Sequence, residues 1–392
     1  MRHPEFHIFA FTPETMRDWC VARGMAPYRA DQILDWVYRK GVIDPGAMTN
    51  LGGRDRETLA REMVFLSGRT IAHRAASDGV QKLLVQWEDG PGAGDSAIDD
   101  ADNEPEAQAR ETGAGHSLHV LGAADMADDP TRQTECVMIP VDDDDRSRRT
   151  ACISSQVGCP VGCRFCASGL GGLDGNLSAG RIVEQVWRLN RLPDVGRISN
   201  IVFMGMGEPL ANFGPVKQAV ETLAAPWGMG ISARKITIST VGLPKAIERL
   251  AAQLDLPVTL ALSLHAPNDE LRRKLIPWSS YTTIDELLSA CDAWFRKTGR
   301  EITLEYILLG GVNDRPEHAE QLAALAKRFR GNVNLIRYNE VRGLEFRRPK
   351  TEDVRRFQEI LRERGVNAHI RASRGRDIEA ACGQLRHETA SA

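Results

Sequence analysis

Gly158-Cys159-Pro160-Val161-Gly162-Cys163-Arg164-Phe165-Cys166 is the stretch on which the reading of the fold turns. It follows a strand-like run at 151–154 and opens a regular alternation that continues to the end of the chain. Further strand-like runs lie at 200–203, 235–239, 258–264, 301–308 and 332–337, with helical patterns at 181–189, 216–223, 284–295, 317–329 and 352–363. Strands alternating with helices predict βα units around a parallel sheet. Six such units exceed a small flavodoxin-like sheet and fall short of a closed eight-stranded barrel, so an open, partial (βα)6 barrel is expected.

Three thiols spaced CxxxCxxC suit three corners of an iron–sulfur cube and leave one iron without a protein ligand. An incomplete coordination sphere is where a metal centre reacts; four-ligand sites are usually closed and structural. Gly158 and Gly162 let the loop turn tightly. The competing reading is a zinc site completed by a distant ligand, but Cys291 and Cys382 stand alone and no second CxxC or HxxxH pair occurs. Gly205-Met206-Gly207-Glu208-Pro209, after the second strand, offers glycines for close backbone approach and a carboxylate for a ligand's ammonium.

Composition sets the outer limits. The 392 residues have a hydrophobic fraction of 42% and a charged fraction of 26%, as a globular protein does. No apolar run approaches the roughly 18–20 residues that span a bilayer, and residues 1–12 lack the pattern of a secretory leader. A cytoplasmic, reducing setting is therefore expected, in which clustered cysteines are metal ligands or catalysts before they are disulfides. The chain has eight cysteines. Cys20, Cys136 and Cys291 read as structural.

The formal charge of −3 is uneven. Residues 88–131 hold twelve acidic residues and one Arg; without them 49 Lys and Arg face 41 Asp and Glu, a balance of +8. A mildly basic remainder is compatible with an RNA partner. Residues 90–131 are rich in Ala, Gly and Asp and nearly free of aromatic or β-branched residues, which predicts a disordered insertion. The Asp run at 142–145 reads as solvated surface. The expected organisation is a small helical domain at 1–69, a β-hairpin region at 70–149 interrupted by the insertion, the barrel at 150–374, and a tail at 375–392. The arms 81–87 and 135–140 are expected to pair.

CxxxCxxC at the end of the first strand of such an array resembles the radical-SAM superfamily. Cys152-Ile153-Ser154-Ser155-Gln156-Val157-Gly158-Cys159 and Gly375-Arg376-Asp377-Ile378-Glu379-Ala380-Ala381-Cys382-Gly383-Gln384-Leu385 resemble the RlmN/Cfr group of RNA adenine methyltransferases. Tyr28-Arg29-Ala30, Met48-Thr49-Asn50-Leu51, Glu305-Tyr306 and Gly311-Val312-Asn313-Asp314 carry the same likeness, which covers the chain except the acidic insertion.

The resemblance implies a [4Fe–4S] cluster on Cys159, Cys163 and Cys166 and two molecules of S-adenosylmethionine (SAM) per turnover. It places SAM contacts at Gly207, Glu208, Ser239, Ser263, Leu264, His265 and Asn339. By the same analogy Cys382 accepts a methyl group, Glu135 takes a ring proton, and Cys152 releases the product by forming a disulfide with Cys382. The substrate implied is carbon 2 of an adenosine in 23S rRNA, with tRNA as a second target, and a cellular electron donor and a thiol reductant as further partners; a monomer with no membrane association is expected. Carbon-8 methylation of the Cfr type is the nearest alternative, since the shared motifs do not separate the two carbons. A non-catalytic RNA-binding protein with a structural metal and an electron-transfer ferredoxin are alternatives of other classes. Departures from the family pattern are the insertion itself, Ala167-Ser168 after the cluster motif, and Arg337 and Glu340 where relatives usually carry prolines.

Overall fold

The computed structural model describes residues 1–89, 129–143 and 146–385. Nearly all of the 90–131 stretch expected to be disordered, residues 144–145 of the Asp run and residues 386–392 of the tail lie outside the described residues.

Among the described residues ten strands make one sheet. Its antiparallel part is β1 (Gly68–Ala75), β2 (Gln81–Trp87), β3 (Gln133–Asp143) and β4 (Arg146–Cys152). The expected arms pair, with Leu84 opposite Glu135 and Lys82 opposite Val137. Two short strands, β5 (Gln156–Gly158) and β6 (Leu173–Asn176), form a separate ribbon around the cysteine loop. From β4 the sheet continues in parallel through β7 (Asn200–Phe203), β8 (Ile236–Thr240), β9 (Thr259–Ser263), β10 (Ile302–Leu308) and β11 (Gly331–Arg337).

These are the six predicted strands, and they are followed by one that was not predicted. β12 (Ala368–Arg371) pairs in parallel with β11. Its four residues are too few for an alternation signal to stand out. The parallel set does not close, because β12 ends the sheet while the other neighbour of β4 is β3. An open seam is left between β4 and β12.

The helices follow the strands. α1 (Pro13–Ala22), α2 (Arg29–Asp35) and α3 (Gly53–Glu62) form the N-terminal part. α2 runs into a π-helical turn at Trp36–Lys40 that ends on Gly41 at φ +72°. Around the barrel lie α4 (Ala179–Leu189), α5 (Phe213–Ala224), α6 (Pro244–Gln253), α7 (Asp269–Leu275), α8 (Ile284–Thr298), α9 (Pro316–Ala326) and α10 (Thr351–Glu363). The termini obey capping chemistry: Thr283 and Glu286 make a capping box on α8, and Gly299 closes that helix at φ +66°.

One apolar core runs from Ile8, Phe9 and Trp19 at the N-terminus through α4 to the barrel strands. α4 is buried on nearly every face, so its polar side chains need partners. Glu184 supplies the main one, accepting from Ser67 N at 2.8 Å, Ser67 Oγ at 2.9 Å and Arg188 Nη2 at 2.6 Å.

Candidate active site

The cysteine loop is held by backbone. Gly158 has φ +74°, and a Cβ there would lie 2.1 Å from Gly172 O. Cys159 N donates to that same carbonyl at 2.7 Å, fastening the loop to the β5–β6 ribbon. Cys159, Cys163 and Cys166 line one end of a cavity of about 850 Å3. Burial pushes the Cys159 thiol up to about 12 and raises Cys163 and Cys166 as well. Thiolates form in such a setting beside a strong cation, which iron supplies. Among the described residues no three His, Cys, Asp or Glu side chains converge as a single-ion site. Three thiols at CxxxCxxC spacing on one cavity lining suit three corners of an iron–sulfur cube.

The wall beyond the thiols comes from the C-terminal ends of β7 to β10, where parallel α/β arrays place ligands. A Cβ at Gly205 would lie 2.7 Å from Ile153 O, and Gly207 at φ +101° would bring one within 2.7 Å of Gln156 Cβ, so both positions need glycine. Glu208 is 3% exposed; it accepts from Leu210 N at 3.0 Å and Val241 N at 2.7 Å, and burial lifts its carboxyl to about 7. Ser239 and Ser263 lie Oγ to Oγ at 3.2 Å.

His265, at φ +57°, accepts from Ile307 N at 3.1 Å through Nδ1, leaving Nε2 to meet a ligand. Burial, with Arg272 nearby, lowers it to about 3, so the ring is neutral. Asn313 from the Gly311–Asp314 motif fixes this strand end by donating to His265 O at 2.8 Å and Ile307 O at 2.7 Å. Glu305 also lines the cavity; its Oε2 is buried without a hydrogen-bond partner, while Oε1 accepts from Asn334 at 3.0 Å. Three thiols at one end, a carboxylate and hydroxyls along the wall and an unmatched buried acceptor fit an iron–sulfur cluster with a nucleoside sulfonium such as SAM beside it.

A second cavity of about 1020 Å3 abuts the first. Cys382 and Arg371 line both; Cys152, Asn339, Arg148 and Arg374 line the second. The second cavity occupies the open seam, since Cys152 ends β4 and Arg371 ends β12. The loop carrying Cys382 docks against the cluster loop: Ala167 N donates to Gly383 O at 2.8 Å, and Ser168 Oγ to Leu385 O at 2.5 Å. Asn339 Nδ2 donates to Cys382 O at 3.4 Å, so Asn339 sits under the tail loop and lines the second cavity rather than the first. Burial, and secondly Cys382, push the Cys152 thiol up to about 12.

Two expected site residues lie away from both cavities. Leu264 is fully buried in the core and meets the site through its backbone N, which donates to Glu305 O at 3.1 Å. Glu135, 2% exposed, pairs with Lys82 Nζ at 2.6 Å. The structure adds two residues that sequence reasoning missed. Arg371 has its pKa raised by Cys382 foremost, and with it by Glu305 and Cys152. Lys82, almost fully buried, stands diagonally across the β2–β3 ladder from Glu135. A lysine on the inward face of a strand-like run was the available signal for Lys82; Arg371 shared the weak signal of β12.

A family model described as the Radical SAM superfamily matches residues 153–326. A second, described as the Ribosomal RNA large subunit methyltransferase N-terminal domain, matches residues 6–65. The chain is 40% identical over 381 residues to a protein of Rhodopirellula baltica named "Probable dual-specificity RNA methyltransferase RlmN", covering 97% of this chain and 90% of the relative. It is 38% identical to the dual-specificity RNA methyltransferase RlmN of Dichelobacter nodosus, covering 97% and 94%. The crystal structure of a radical SAM methyltransferase from Sphaerobacter thermophilus superposes with a TM-score of 0.83 at 38% identity, over 98% of this chain and all of the other. The chain belongs to the RlmN family of the radical-SAM superfamily.

Proposed function

We propose that this protein methylates carbon 2 of an adenosine in 23S rRNA, and in tRNA, through a methyl group carried on Cys382. The observation that carries the reading is the placement of Cys382 at the junction of two cavities, one lined by the cluster thiols and the other by Cys152. The printed names of the relatives, dual-specificity RNA methyltransferases, support RNA as the substrate class. Carbon 2 of adenine is not nucleophilic, so a direct transfer from SAM fails and a radical route is required. A cluster held by Cys159, Cys163 and Cys166 with SAM beside it would supply a carbon radical able to take a hydrogen atom from an unactivated methyl group, and the cluster would serve as acceptor for the surplus electron.

The chain's own residues do the rest. The Cys382 thiolate attacks the sulfonium methyl of a first SAM and becomes a methyl thioether. Having lost one hydrogen atom, that methyl adds to the adenine carbon and links RNA to Cys382. By the family likeness Glu135 accepts the proton leaving the ring carbon, although it lines neither cavity. Cys152 attacks the Cys382 sulfur; the C–S bond breaks, its electron pair stays on the methylene carbon and is protonated, and a Cys152–Cys382 disulfide remains. A thiol reductant then restores both cysteines. Arg371 lowers the Cys152 thiol against the burial that raises it.

Anaerobic incubation with rRNA and tRNA, followed by nucleoside mass spectrometry, tests the proposal. The expected product is 2-methyladenosine, absent with Cys382→Ala, and Cys152→Ala is expected to leave RNA covalently attached to the protein. Only 8-methyladenosine, or methylation that persists in Cys382→Ala, refutes it.

A further inference from the structure

The β1–β2 hairpin grips the loop that carries Cys382. Asp78 Oδ2 accepts from Gly375 N at 2.9 Å, Ser77 N donates to Asp377 Oδ2 at 2.9 Å, and Lys82 Nζ donates to Glu379 O at 3.1 Å. Val80, fully buried, packs with Ala380 and Cys152 in one apolar cluster. The gripped loop is wound through left-handed backbone at Gly375 (φ +66°), Glu379 (φ +53°) and Gly383 (φ +84°). Glycine adopts that conformation freely, but Glu379 does not, so its peptide must be restrained from outside. The Lys82 ammonium supplies that restraint at the carbonyl of Glu379.

The same ammonium lies 2.6 Å from Glu135 Oε1, and both side chains are almost fully buried, at 5% and 3% exposure. A lone charge of either sign at that depth is unfavourable, and Lys82 Nζ is shared between the Glu135 carboxyl group and the Glu379 carbonyl. Near the pair, Cys136 beside it on β3 and Cys152 on β4 have their thiols raised by burial. Arg371, from β12, is coupled to Cys382, Glu305 and Cys152.

We infer that Lys82 is a positioning residue for the methyl transfer, tying the placement of the Cys382 loop to the readiness of Glu135 as a base. The inference rests on the roles proposed above for Glu135 and Cys382. One Lys82 proton is directed to the loop carbonyl and another to the carboxylate, so the loop is seated where the carboxylate is charged. When the ring carbon gives up its proton, the C–H electron pair stays in the ring and the proton goes to Glu135.

The test compares wild type, Lys82→Met and Lys82→Arg as full-length, cluster-loaded enzyme. An adjacent cation changes a carboxyl group's proton affinity by roughly 10- to 1000-fold. In Lys82→Met the acid limb of the RNA-methylation pH profile is therefore expected to move to higher pH by that factor in proton concentration. Hydrogen exchange of residues 375–383 is expected to accelerate, while Cys382 still loads one methyl per chain. Lys82→Arg should restore the profile and the protection, which a merely space-filling role would not require. A Lys82→Met enzyme with the wild-type profile or wild-type exchange overturns the inference. Should Lys82→Met not fold, Lys82→Met/Glu135→Gln removes the stranded charge, and unchanged loop protection in that variant overturns it equally. Absence of methylated adenosine from the wild type itself would instead refute the proposed function, with the exchange arm still deciding the role of Lys82.

Discussion

Glu184→Gln is expected to destabilise the fold by about 3 kcal/mol at neutral pH, the value obtained from the carboxyl's own proton affinity. Glu184 is fully buried in the middle of α4. It fastens three parts of the chain: His7 Nε2 at 3.1 Å from the N-terminal segment, Ser67 and Gly68 from the start of β1, and Arg188 one turn along its own helix. Burial opposes its charge, but the contacts with His7, Arg188 and Ser67 outweigh that and hold the carboxyl down from 4.5 to about 2. At about 1.36 kcal/mol for each tenfold change in proton affinity, this depression stabilises the folded state by roughly 3 kcal/mol once the group is ionised. Removing one partner of a buried ion pair costs about 3–5 kcal/mol by an independent route, so the two estimates agree.

Glutamine keeps the shape of the side chain and loses the charge. For a chain of this size a 3 kcal/mol loss lowers Tm by roughly 4 °C, in a single transition because the N-terminal segment and the barrel share one core. The sign with pH is fixed by the direction of the shift. A depressed carboxyl stabilises fully above its unfolded value of 4.5, and the contribution fades as pH falls through the folded value of about 2. Wild type and Glu184→Gln should therefore be furthest apart near neutrality and converge in acid. Denaturant unfolding at a series of pH values measures the gap. A difference below about 0.5 kcal/mol at pH 7, the scatter of an ordinary surface substitution, or a gap that persists unchanged into acid, refutes the argument.

Gly158→Ala is expected to lose most bound iron and sulfide without unfolding the barrel, because its Cβ would press to 2.1 Å against Gly172 O at φ +74°. Gly162→Ala, with φ +67° but no atom within 4 Å of its Cβ, should retain more, and equal iron content in the two variants would contradict this account of the loop. Arg148 and Arg374 line the cavity shared by Cys152 and Cys382 and are expected to hold RNA phosphates there. Each Arg→Ala change should raise KM for RNA with little effect on kcat, and lower the slope of log affinity against log salt by about 1; an unchanged slope removes that residue from the RNA contact.

What the sequence discloses about this protein follows the range of the forces involved. The cluster motif, its two glycines and the βα alternation are local signals: each depends on a few residues in order along the chain, and each is found where expected. Five of the seven SAM contacts implied by resemblance, Gly207, Glu208, Ser239, Ser263 and His265, line the first cavity, because a βα array delivers every strand's C-terminal end to the same face. Leu264, the first residue past β9, is instead buried in the core. The seam is different. It is made where the sheet fails to close, between β4 and a four-residue β12 more than 200 residues later, and no pattern within either strand announces the other. Arg371 and the Lys82–Glu135–Glu379 connection belong to that seam and became legible only in three dimensions. The chemistry of a radical acting on an unreactive carbon is thus readable in nine consecutive residues, whereas the control of the cysteine that carries the methyl group rests on contacts between a hairpin and a tail separated by nearly 300 positions, such as Lys82 with Glu379.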